Sequence, residues 1–86
     1  MPYRSQHLSV SVPEARRLVA DRVDGVALSE DSGVVYVRTN TGVTVATLSP
    51  HDDGALLRYR TTLTSRLPAH ARRRANAVRA ALAHYS

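Results

Sequence analysis

The stretch VALSEDSGVVYVRTNTGVTVATL, residues 26–48, decides the fold. Three short runs, Val26–Ser29, Val34–Thr39 and Val43–Leu48, are rich in β-branched residues and too short for helices. Between them stand Glu30-Asp31-Ser32-Gly33 and Asn40-Thr41-Gly42, whose glycines supply the left-handed backbone that tight hairpins need. Residues 26–48 therefore read as an antiparallel meander. The loop Ser49–Gly54 leads on into a longer strand, Ala55–Thr64. Its period of two turns Leu57, Tyr59, Thr61 and Leu63 to one side and Arg58, Arg60, Thr62 and Thr64 to the other.

Upstream of the meander, Leu8, Val10 and Val12 alternate with Ser9 and Ser11, which predicts a strand over Tyr3–Val12 with one buried face. Ser11-Val12-Pro13-Glu14 then has the spacing of a capping box, so a helix starts there. Ala15, Leu18, Val19 and Val23 form its apolar stripe, and Gly25 stops it. Downstream, Leu67 to about Tyr85 takes a helical period. Leu67, Ala71, Ala75, Val78, Leu82 and Tyr85 make its stripe, and Pro68 suits its first turn. The whole chain, residues 1–86, is thus expected to be one α+β domain of order β-α-β-β-β-β-α. Its antiparallel sheet should carry a long C-terminal helix packed across one face, in a helix-grip-like arrangement.

Eighty-six residues divided in two would leave neither half enough apolar surface to offset chain entropy. The interior must be built from Val, Ala and Leu, since the chain has no Phe, Trp or Ile. A domain this small gains from sharing apolar area, so a homodimer is one expectation. The absence of cysteine excludes disulfides, thiolate metal sites and cysteine nucleophiles. Apolar runs are too short for a membrane span, and Met1-Pro2-Tyr3-Arg4-Ser5 lacks the apolar core of a signal peptide, so a cytoplasmic location is expected.

Charge is unevenly distributed. Residues 1–54 hold all seven acids and five arginines, a net −2, whereas residues 55–86 hold seven arginines and no acid. Every cation is arginine, which suits bidentate phosphate contacts and is equally what a GC-rich coding sequence produces. Arg72, Arg73 and Arg74 wrap around the terminal helix and have no acid three or four residues away; the loop residues Asp31, Asp52 and Asp53 are the partners on offer.

No constellation specifies a reaction. The serines and threonines sit in no nucleophile elbow, the glycines read as turn residues, and His7, His51, His70 and His84 lack metal-ligand spacing. His51-Asp52-Asp53 reads as an exposed turn. Catalysis, a cofactor and a metal are not expected.

The passage His7-Leu8-Ser9-Val10-Ser11-Val12-Pro13-Glu14-Ala15, with Leu18 and Asp24-Gly25 after it, resembles the opening of START-type polyketide-cyclase and lipid-transfer proteins. The strand Leu56-Leu57-Arg58-Tyr59-Arg60, the Leu67-Pro68 entry and the helix ending Ala81-Leu82-Ala83-His84-Tyr85 resemble that superfamily's close. The resemblance implies a sheet wrapped on the terminal helix around an apolar pocket, here lined by Leu57, Tyr59, Leu63, Val78 and Leu82. A small apolar molecule or a protein partner would be held there without catalysis. The chain departs from that family in having one helix after its first strand and fewer strands. A second resemblance is confined to Arg72-Arg73-Arg74-Ala75-Asn76-Ala77-Val78-Arg79-Ala80-Ala81-Leu82, which is similar to the basic last helix of double-stranded-RNA-binding domains. It implies the alternative function, binding of double-stranded RNA or another polyanion through the arginine-rich helix with Arg72, Arg73, Arg74 and Arg79. Arg58 and Arg60, on one strand face with Tyr36 and Tyr59 nearby in pattern, add a basic-aromatic surface of the kind that stacks bases, although Tyr59 faces the leucine side and reads as core.

Overall fold

A computed structural model describes residues 3–60 and 69–85. Leu63, Leu67 and Pro68 lie outside the described residues, as do Thr61, Thr62 and Thr64. The elements are β1 (Tyr3–Leu8), α1 (Val12–Arg22), β2 (Val26–Asp31), β3 (Val34–Thr39), β4 (Thr44–His51), β5 (Gly54–Arg60) and α2 (Ala69–Leu82). A single 3-10 turn, Ala83–Tyr85, follows α2.

The five strands form one antiparallel sheet in the order β1-β5-β4-β3-β2. Strands β2 to β5 are sequential hairpins, as the meander pattern requires. Helix α1 carries the chain from one sheet edge, β1, to the other, β2, and β5 then returns to pair with β1.

Local chemistry accounts for each boundary. Strand β1 ends at Leu8, short of the expected Val12, because Ser11 is the N-cap of α1. Its side chain accepts from the Glu14 amide at 3.4 Å, and Pro13 occupies the first turn, where a missing N–H costs nothing. At the other end, Gly25 adopts φ +74, which lets the chain turn sharply from helix into β2. Ser32 (φ 53) and Gly33 (φ 83) form a two-residue left-handed turn, so β2 runs two residues past the expected Ser29. Strand β4 also outruns its expected end at Leu48. Past Leu48 only β5 pairs with it, so Pro50 lies where one side of the strand is an edge and an N–H is not needed.

Both helices pack on one face of the sheet and against each other. The buried stripe of α2 is Ala71, Ala75, Val78 and Leu82, with Tyr85 half-buried against the core. That of α1 is Val12, Ala15 and Val19, continued by Val23. Opposite them lie Val35, Val37, Ala46, Leu48 and Leu57, each 0% exposed. Burying one Val or Leu side chain contributes about 1.5–3 kcal/mol, so this one contiguous cluster is where the fold's stability resides.

Polar contacts hold α2 at both ends. Near its start, Thr41 Oγ1 and His70 Nε2 are 3.1 Å apart, tying the β3–β4 turn to the helix. Near its end, Gln6 Nε2 donates to the Leu82 carbonyl at 3.3 Å and the Ser9 hydroxyl donates to the Tyr85 carbonyl at 2.8 Å. Arg22 of α1 donates to the Ala81 carbonyl and to the Tyr85 hydroxyl, with its guanidinium 5.7 Å from the ring centre. No helix among the described residues is long and apolar enough to cross a membrane.

Candidate functional site

Strand alternation gives every residue that points at the helices a neighbour pointing away. The pairings Ser5–Arg58, Arg58–Thr47, Thr47–Tyr36 and Tyr36–Ser29 set five such residues in one row across the uncovered face. Arg38, two residues after Tyr36, begins the next row beside Thr44 and Ala27.

A β-bulge shapes the middle of this face. Val37 pairs with Ala46 and Arg38 with Thr44, leaving Val45 as an extra residue in β4. Val45 and Ala46 are consequently both buried. The shift also puts Thr44 beside Arg38, whose Nε donates to Thr44 Oγ1 at 3.2 Å. The Arg38 guanidinium lies 5.4 Å from the centre of the Tyr36 ring, a cation–π contact that helps fix both side chains.

Tyr36, Arg38, Thr44, Thr47 and Arg58 line a concavity of about 380 Å³. Two guanidiniums, two hydroxyls and a phenol make a surface of hydrogen-bond donors with an aromatic wall. None of these five lining residues is a carboxylate. Acids gather at the opposite end of the same strands, where Asp31 closes the β2–β3 turn and Asp52 and Asp53 form the β4–β5 turn. There the His51 ring stands T-shaped to His7, centroids 4.3 Å apart, with His51 Nε2 3.5 Å from Asp52. Among the described residues no group of three His, Asp or Glu side chains is placed to hold a metal ion.

The residues singled out in the sequence divide between the two faces. Leu57, Val78 and Leu82 are fully buried in the core, and Tyr59 is half-buried against it. Leu63, the fifth pocket residue expected, lies outside the described residues. Arg58 is on the open face, and Arg60 ends β5 opposite Tyr3. Arg72, Arg73 and Arg79 are exposed on α2, which lies on the covered side, so the sheet separates them from Arg58. Arg74 is half-buried and packs on the α1–β2 turn, so closely that a Cβ on Gly25 would meet its Nη2 at 2.5 Å. Arg72, Arg73 and Arg79 therefore lie on the other side of the sheet from Arg58.

The offered acidic partners are also elsewhere. Among the described residues, Asp31 accepts from Ser32, Asp52 lies 3.5 Å from His51 Nε2, and Glu30 faces Arg16 at 3.9 Å. Sequence reading passed over Arg38, Thr44 and Thr47. Arg38 was available in the alternation of Tyr36-Val37-Arg38, but Thr44 joins the site only through the bulge.

Comparison of the chain with protein-family models, curated proteins and solved structures finds no match. The reading of the site therefore rests on its chemistry.

Proposed function

We propose that this domain binds a polyanion on the open face of its sheet. The observation that carries the reading is the concavity in which Arg38 and Arg58 converge with Tyr36, Thr44 and Thr47 and with no carboxylate among its described lining residues. Guanidiniums are planar, permanently charged and matched to phosphate oxygens, and hydroxyl donors beside them complete an anion's coordination. The reading favours the sheet over α2 because Arg72, Arg73 and Arg79 are spread around an exposed helix, whereas Arg38 and Arg58 line one hollow.

A ligand held between sheet and terminal helix, as the START-type resemblance implies, draws less support. Leu57, Val78 and Leu82 belong to the buried core cluster, whereas the open face presents its polar groups around a hollow that a charged ligand can reach.

Charge-matched variants test the proposal. Arg38→Glu/Arg58→Glu and Arg72→Glu/Arg73→Glu alter net charge equally, and labelled oligonucleotide and inorganic polyphosphate are titrated with each at low salt. The sheet pair is expected to abolish binding and the helix pair to weaken it only a few-fold, through the general field. The reverse ranking would return the function to α2.

A further inference from the structure

Resting on that reading, we infer that the polyanion is a single-stranded nucleic acid, whose unpaired base stacks at Tyr36 while its phosphates meet Arg38 and Arg58. Neighbouring strands lie about 4.8 Å apart, so Tyr36 and Arg58, two strands apart with Thr47 between them, are about 10 Å apart across the sheet. That is the reach of one nucleotide from its base to a flanking phosphate. The Thr47 hydroxyl stands midway, where sugar and phosphate oxygens pass. Arg38 lies over one face of the Tyr36 ring, and a base can stack against the other face or on the guanidinium plane itself.

A duplex fits this face poorly. A duplex keeps its bases paired and stacked, so it offers Tyr36 no free base to stack on. A chain of phosphates without bases would satisfy the arginines but leave Tyr36 unused. With two arginines at the site, the footprint is short, and the logarithm of the affinity should fall against that of salt with a slope of about −1.4.

The test uses labelled single-stranded oligodeoxythymidine and oligouridine, a duplex of equal length, and inorganic polyphosphate, each titrated with the full chain by fluorescence anisotropy at low and physiological salt. Either single strand should bind more tightly than the duplex, and the ranking of the two identifies which sugar is preferred. Tyr36→Leu, which keeps apolar bulk without an aromatic face, should weaken single-strand binding by about tenfold and leave polyphosphate binding unchanged. Tyr36→Phe should bind like the parent. If polyphosphate binds as tightly as the single strands and Tyr36→Leu changes nothing, the stacking inference fails while the polyanion reading stands. A duplex bound more tightly than either strand also overturns the inference. If neither polyphosphate nor oligonucleotide binds at low salt, both fail.

Discussion

The two faces of the sheet are cut from the same strands, and adjacent residues meet opposite fates. Val35 and Val37 are fully buried, while Tyr36 between them and Arg38 beside them face away from the helices. Leu48 and Leu57 are buried partners across β4 and β5, and their neighbours Thr47 and Arg58 pair on the other side. The covered face is restricted by burial: any polar atom there needs a partner, and any lost methyl leaves a void. The open face is under no such restriction. Two arginines, a tyrosine and two threonines around one hollow are therefore informative about binding, whereas the valines opposite them are informative about folding.

The contrast breaks most readily at the helix. Leu82→Asp should put an unpaired charge under α2, cost several kcal/mol and abolish a cooperative melt by circular dichroism. A variant that melts like the parent would mean that the covered face is not the source of stability. Next in size, Leu48→Ala should cost about 2–5 kcal/mol in urea denaturation, and Thr47→Ala, one residue away on the open face, under about 1 kcal/mol. Equal losses would erase the distinction between the faces.

A smaller effect is expected at Gly25. Alanine there must hold a left-handed backbone, costing about 1 kcal/mol, and its Cβ displaces the Arg74 guanidinium. Truncation in the double variant Gly25→Ala/Arg74→Ala should recover the second part of the loss, and full additivity in a thermal-melt cycle would deny the packing role given to Arg74. Smallest of all, Thr44→Val should leave stability unchanged within about 0.5 kcal/mol while weakening anion binding a few-fold, because Arg38 loses the acceptor that holds it. An unchanged affinity would mean that the bulge does not shape the site.

Much of the covered face was legible in the sequence, because periodicity records burial directly. Ala71, Ala75, Val78 and Leu82 recur at helical spacing, and Leu57 and Tyr59 at strand spacing, as the helix and β5 place them. Strand ends were less legible. Pro50 suggested a loop, and its place in β4 depends on where β3 stops pairing, a non-local fact. The site was the least legible part. Arg58 could be assigned to a strand face, but grouping it with Arg72, Arg73 and Arg74 joined residues that the sheet keeps apart. Sequence proximity and net charge say nothing about which side of a sheet a helix occupies. Thr44 reached the site by a register shift whose mark in the sequence is the apolar pair Val45-Ala46, which breaks the alternation of β4.

The most direct measurement is amide chemical-shift mapping on the isotope-labelled full chain during titration with a single-stranded oligonucleotide at low salt. Salt-sensitive shifts are expected to cluster at Tyr36, Arg38, Thr44, Thr47 and Arg58, with α2 largely unmoved. Shifts confined to Arg72, Arg73 and Arg79, with β3, β4 and β5 silent, would contradict binding on the open face.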